Sequence, residues 1–199
     1  MNNKHIEKEI KFLFSANEAK ELSSSLKNWR GNRLYEKTTM FDNDDGIMYH
    51  KDARLRIREI KSKKHYITEF SYKKRLLENM GSIKREEEIE LAFSIDSSPL
   101  ISILENMGFY PISSYERFRT TYQINNTKTT LDEFPFGWIL EIEGEEDSIE
   151  EVVNLLGLDE EKATLESCDD VYSRICKERN IIPKNDILFD DKNMPYINT

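Results

Sequence analysis

In several separate stretches of this chain charged and apolar residues alternate one by one, and the charges that share a face carry mostly one sign. In residues 6–12, Glu7, Glu9 and Lys11 take one side of an extended strand while Ile6, Ile10 and Phe12 take the other, because successive side chains of a strand point to opposite faces. Arg54, Arg56 and Arg58 share a face against Leu55 and Ile57, and Arg117 and Arg119 share one against Phe118. Glu141 and Glu143 align against Leu140 and Ile142, Asp132 lies across from Leu131 and Glu133, and Lys73 ends another such segment. In Lys84-Arg85-Glu86-Glu87-Glu88 two registers are open. The first turns Lys84, Glu86 and Glu88 to the common side, the second Arg85 and Glu87, and a slip of one residue exchanges them.

One such strand alone is an amphipathic sheet edge with a wet face. Repetition argues for more. Like charges two residues apart repel, and a surface selected only for solubility mixes signs. Charged faces turned into a closed barrel satisfy the pattern: arginines and lysines surround a polyanion, carboxylates hold the cations that bridge it, and the apolar faces look outward under amphipathic helices. Unpaired buried charges cost several kcal/mol each, so an empty channel of this kind should be wide and hydrated.

Period-two segments cover residues 5–13, 53–60, 65–75, 83–93, 115–124, 128–134 and 137–144. Four segments read as helices. Ser15 and Glu18 form a capping box before Ala19 to Trp29, and Ser98 and Pro99 open Leu100 to Met107, where Leu100, Ile103, Leu104 and Met107 make an apolar stripe stopping at Gly108. Ser148 with Glu151 opens Ile149 to Leu156 before Gly157, and a fourth helix spans about 165–179. Residues 183–199 have no clear period and read as an ordered extension or a loose tail. The expected organisation is one domain over 1–180 and an extension over 181–199.

A net charge of −9 argues against general nucleic-acid binding, which needs an excess of Lys and Arg. The first residues lack the apolar core of a secretion signal and no stretch approaches the ~20 apolar residues of a membrane span, so a cytoplasmic protein without membrane contact is expected. Cys168 and Cys176 match no metal spacing and read as ordinary thiols. There is no Gly-x-x-x-x-Gly-Lys-Ser/Thr loop, no Gly-x-Gly-x-x-Gly opening a helix and no His-Glu-x-x-His. His5 shares the parity of Glu7 but reads as a surface residue.

Glu7-x-Glu9-x-Lys11 resembles the ExExK signature of the CYTH superfamily, the triphosphate tunnel metalloenzymes, and its sequels add specificity. Leu55-Arg56-Ile57-Arg58 resembles the family's arginine strand, Phe70-Ser71-Tyr72-Lys73 the strand ending in a tunnel lysine, and Arg117-Phe118-Arg119 the later basic pair. Thr130-Leu131-Asp132 with Gly137 to Gly144 is similar to the closing carboxylate hairpin, and Lys84, Glu86 and Glu88 repeat the family's basic-x-acid-x-acid order. The last helix departs from the usual Ser-Tyr pair, leaving Tyr172 as a packing residue.

The resemblance implies an α+β fold: a closed antiparallel eight-stranded β-barrel with helices packed on the outside. It also implies metal ligands at Glu7, Glu9, Asp132, Glu141 and Glu143, with Glu86 and Glu88 beside them, and hard-oxygen coordination of Mg²⁺ or Mn²⁺. Lys11, Arg56, Arg58, Lys73, Lys84, Arg117 and Arg119 would grip the phosphates of a small-molecule triphosphate, with Glu7, Glu9 and Lys11 as the catalytic set. The implied reaction is hydrolysis of inorganic triphosphate, thiamine triphosphate or a nucleoside triphosphate. A class IV adenylyl cyclase is the alternative, and a non-catalytic polyphosphate or nucleotide binder a third reading. Whether the chain forms a homodimer stays open.

Overall fold

The computed structural model describes residues 5–61, 66–76 and 81–189. Eight strands, β1 (His5–Phe14), β2 (Asn32–Asp42), β3 (Ala53–Lys61), β4 (Tyr66–Arg75), β5 (Lys84–Phe93), β6 (Tyr110–Ile124), β7 (Thr127–Phe134) and β8 (Gly137–Glu143), close into an antiparallel barrel. Around the barrel the order is β6-β2-β3-β4-β5-β1-β8-β7, and β7 returns to β6. Closure gives each of the eight strands a neighbour on both sides. Two short strands are accessory: β9 (Ala163–Thr164) pairs with β1, and β10 (Asp186–Ile187) runs parallel to β6.

All seven period-two segments are strands, with residue 65 outside the described residues and β6 starting five residues before its expected position, at Tyr110. The eighth, β2, has no such period. Its inward residues Leu34, Glu36, Thr38 and Met40 and its outward residues Tyr35, Lys37, Thr39 and Phe41 both mix polar and apolar types. Its conformation comes from its neighbours, since it pairs with β3 on one side and β6 on the other.

The helices follow their start signals with three corrections. Helix α1 (Ala16–Ser25) has the expected Ser15–Glu18 capping box, but a 3₁₀ turn over Leu26–Asn28 replaces its last turn. After α2 (Ile47–His50), helix α3 (Ser98–Asn106) buries Leu104, whereas Ile103 and Met107 of the expected stripe are exposed because only one edge of α3 meets the barrel. Helix α4 (Glu146–Leu155) starts before Ser148, with Glu145 at the cap position, so Ser148 lies inside the helix. Gly108 and Gly157 follow α3 and α4 at φ +82° and +66°, the left-handed turn that ends a helix with least strain at glycine. Helix α5 (Cys168–Glu178) opens on a capping box between Ser167 and Asp170. No helix among the described residues is long and apolar enough to cross a membrane.

Outward-facing Ile10, Phe12, Leu131, Leu140 and Ile142 pack under Leu22, Leu26, Ile149, Val152 and Val153 from α1, its following turn and α4. Phe41, Leu55 and Ile57 pack under Leu104 of α3. Helix α5 has a different place from the other helices. At one end of the barrel the inward faces change from charged to apolar, at Leu13, Met40, Tyr115, Phe134 and Ile139, and Val171, Tyr172, Ile175 and Cys176 pack onto them. Helix α5 is thus a stopper in the end of the barrel, and Tyr172 is a packing residue, 3% exposed with its ring 5.8 Å from that of Phe136. Of the extension expected after residue 180, residues 181–189 are described, and Ile187 joins the same apolar cluster. Replacing Ile175 by Ala should destabilise the protein by about 2–4 kcal/mol, the usual range for a buried Ile truncation, with a lowered midpoint in urea unfolding as the measure.

Candidate active site

The inward faces of the strands enclose a cavity of about 700 Å³. The barrel order gives it two unlike walls. β6 contributes Arg117 and Arg119, β3 contributes Arg54, Arg56 and Arg58, and β4 contributes Lys73, so the arc from β6 to β4 is basic apart from Glu36 and Glu69. The arc β5-β1-β8 carries Glu86, Glu88, Glu7, Glu9, Glu141 and Glu143 and is acidic apart from Lys11 and Lys84. Register decides which residues these are: Glu7 stands beside Glu86, Glu9 beside both Lys84 and Glu143, and Lys11 beside Glu141. That pairing resolves the two registers of residues 84–88 in favour of Lys84, Glu86 and Glu88 inward, while Arg85 reaches Glu146 2.8 Å away on the outside.

The charges form an alternating chain around the interior. Glu36 Oε2 accepts from Arg117 Nε at 2.8 Å and stands 3.7 Å from Arg58 Nε. Arg117 Nη1 donates to Asp132 Oδ2 at 3.0 Å, Arg119 Nε donates to Asp132 Oδ1 at 2.7 Å, and Arg119 also binds Glu141. Glu141 lies 3.6 Å from Lys11, which donates to Glu9 at 2.7 Å. Lys84 stands 3.6 Å from Glu9 and 3.0 Å from Glu86, and Glu86 binds Arg54. A branch joins Glu7 to Lys73, Lys73 to Glu88 at 3.2 Å, and Glu88 to Arg56 at 3.5 Å. Three buried donors, Arg58 Nε, Lys84 Nζ and Arg117 Nη2, touch carboxylates without a well-formed hydrogen bond.

Burial raises the cost of every charge here, and the neighbours decide the outcome. Burial pushes the Glu36 and Glu86 carboxyls up, but Arg117, Arg58 and Arg119 around the first, and Arg54, Lys84 and Lys11 around the second, bring each down to about 2. Burial, reinforced by Lys11 and Arg54, pushes Lys84 down to about 8 against the pull of Glu9 and Glu86. Glu7 moves the other way: burial raises it against the pull of Lys73, and the nearby Glu9, Glu88 and Glu143 push in the same direction as burial.

The model of the CYTH domain matches residues 5–167. The chain belongs to the CYTH family. Its fold is shared with a protein of Pyrococcus horikoshii (21% identity, TM-score 0.68, covering 83% of this chain and 97% of that one). It is shared too with a candidate adenylate cyclase of Vibrio parahaemolyticus (20%, 0.66, covering 85% and 98%) and a candidate adenylyl cyclase of Hippeastrum with a dominant triphosphatase activity (18%, 0.64, covering 89% and 97%). No curated protein matches the chain. CYTH proteins are typically enzymes that bind triphosphate small molecules and generally use divalent metal ions.

In this CYTH domain Glu7, Glu9, Lys11, Arg56, Arg58, Lys73, Glu86, Glu88, Arg117, Arg119, Glu141 and Glu143 all line the cavity. Lys84 and Asp132 lie deeper in the wall, 1% and 0% exposed, and both oxygens of Asp132 are engaged by arginines. Sequence reasoning missed Glu36, hidden in the strand without a period. It also passed over Glu69 and Glu90, which extending the parity of Lys73 and of Glu88 would have found. His5, read as a surface residue, is exposed and also stands at the cavity mouth. Glutamates alone supply the acidic wall, and such hard oxygen donors fit Mg²⁺ or Mn²⁺. Among the described residues no three of them are already grouped as a cation site; lysines and arginines lie between them.

Ionised Glu36 stabilises the fold above its ordinary value of 4.5, and that contribution declines as pH falls through about 2. Glu36→Gln should therefore lower stability at neutral pH by on the order of 3 kcal/mol, and the gap from the parent should narrow between pH 4.5 and 2 in urea titrations.

Proposed function

We propose that this CYTH domain hydrolyses a triphosphate-bearing small molecule with the help of Mg²⁺ or Mn²⁺. The observation that carries the reading is the opposition of the two walls across one cavity. A polyanion laid along the basic wall faces carboxylates that could not tolerate it without intervening cations, so phosphate chain and cation are each placed by the wall of opposite sign.

Arg56, Arg58, Arg117 and Arg119 offer planar forks for paired phosphate oxygens, and Lys73 adds a compact charge. The unsatisfied donor at Arg58 Nε gains an acceptor when the chain of phosphates is present. Glu7, Glu9, Glu86, Glu88, Glu141 and Glu143 are the candidate holders of the cation, and Lys11, held between Glu9 and Glu141, spaces them. A bound divalent ion supplies charge neutralisation on the phosphates and a more acidic water. Asp132 fits a positioning role better than a ligand role, since it holds Arg117 and Arg119 at fixed angles from behind. Glu36 does the same for Arg117 and Arg58, and at about 2 it stays ionised and is a poor proton acceptor near neutrality. Positioning the chain of phosphates and neutralising its developing charge are what phosphoryl transfer asks of a protein.

Incubation with Mg²⁺ or Mn²⁺ and inorganic triphosphate, thiamine triphosphate or ATP should release inorganic phosphate. Cyclic AMP with pyrophosphate and no phosphate would instead establish the cyclase reaction. Glu9→Gln and Arg119→Ala should each lower kcat/KM by about 10²-fold or more, the scale of losing one aligned charged contact in a shielded site, while both proteins keep a cooperative unfolding transition.

A further inference from the structure

Resting on the triphosphate reading, we propose that Tyr115 is a further substrate-binding residue, whose hydroxyl donates a hydrogen bond to a phosphoryl oxygen where the basic wall meets the apolar end of the barrel. The ring and the hydroxyl of this residue belong to different surroundings. Tyr115 is 5% exposed and lies in the apolar cluster under α5, with its ring 5.9 Å from that of Phe134, yet it also lines the cavity. Phe134 does the same without a hydroxyl: it is buried, packs in that cluster and lines that cavity. Packing therefore accounts for the ring of Tyr115 but not for its oxygen.

A buried phenol ordinarily has a hydrogen-bond partner. The hydroxyl of Tyr115 has none among the described residues. Its neighbours give the reason. Burial disfavours the charge of the Arg56 guanidinium, and the phenol of Tyr115 stands first among the groups that favour it; Arg54 and Arg117 are influenced by the same phenol. Guanidinium groups only donate hydrogen bonds, so three of them near a phenol offer its O–H no acceptor. The carboxylates paired with those arginines are already engaged, Glu36 and Asp132 by Arg117, Glu86 by Arg54 and Glu88 by Lys73. Strand register sets Thr38 of β2 directly beside Tyr115, and its buried hydroxyl has no hydrogen-bond partner either.

A phosphoryl oxygen meets both needs at once, since it accepts the O–H of Tyr115 together with N–H groups of the arginines around it. Tyr115 is neutral, so what it adds to the arginines is direction: one donor on a ring held by its packing against Phe134.

The test uses the imido analogue of inorganic triphosphate, which resists hydrolysis, with Mn²⁺. Its dissociation constant and the urea midpoint without ligand are measured for the full chain and for Tyr115→Phe and Tyr172→Phe. Tyr115→Phe should weaken binding about tenfold, the scale of one hydrogen bond to a charged acceptor. Its ligand-free midpoint should stay unchanged or rise, because the hydroxyl removed had no partner in the protein. Tyr172→Phe should do the reverse, with a lower midpoint and unchanged affinity, since that hydroxyl accepts the backbone N–H of Lys184 at 3.3 Å and does not line the tunnel. Parent-like binding by Tyr115→Phe, or a lowered midpoint in that variant, would overturn the assignment while leaving the triphosphate reading intact. No binding of the analogue by the parent chain would remove the triphosphate reading and the role of Tyr115 with it.

Discussion

The structure depends on the mutual neutralisation of charges that no single strand could bury. Arg117 is held by Glu36 from β2 and Asp132 from β7, Arg119 by Asp132 and by Glu141 from β8, and Lys11 by Glu9 and Glu141. Each ion is satisfied only when its neighbours on other strands are in register, so the barrel's closure and its interior chemistry are one constraint. A cavity lined in this way is tolerable without a ligand, and its paired ions are available to exchange partners with the phosphate oxygens and divalent cation proposed for it.

The sign of a wall follows from strand order rather than from any one strand. β3 and β6 are far apart in sequence and meet through β2, which brings the arginines of both into one arc. β5, β1 and β8 meet on the other side and collect the glutamates. Opposite walls of opposite sign create a field across the cavity that a solvent-exposed sheet with the same residues would lose to screening.

Most of this was legible from alternation, because a face that is charged at every second residue over three or more positions has few homes other than an enclosed polar space. Arg56 with Arg58 and Glu141 with Glu143 are examples, and their inward placement follows from parity alone. β2 escaped because pairing on both sides holds it extended whatever its pattern, and so Glu36, which anchors the centre of the basic wall, was invisible. The start of α4 escaped for a related reason: Ser148 and Glu151 have capping-box spacing, but burying Ile149, Val152 and Val153 can accommodate an earlier start at Glu146. The stopper role of α5 needed three-dimensional knowledge, since an amphipathic helix looks the same in sequence whether it lies on a barrel or in its end.

The seam of the barrel sets the order in which the chain can fold. β1 is flanked by β5, β8 and the short β9, and β2 by β3 and β6, so the first strand waits for the last hairpin, some 130 residues later, before its inward charges find all their partners. During synthesis, then, the hairpins β3–β4 and β6–β7 can form as they emerge, but β1 stays half-paired until Glu143 has left the ribosome. Slow, late-committing assembly is the kinetic signature of contacts so distant in sequence.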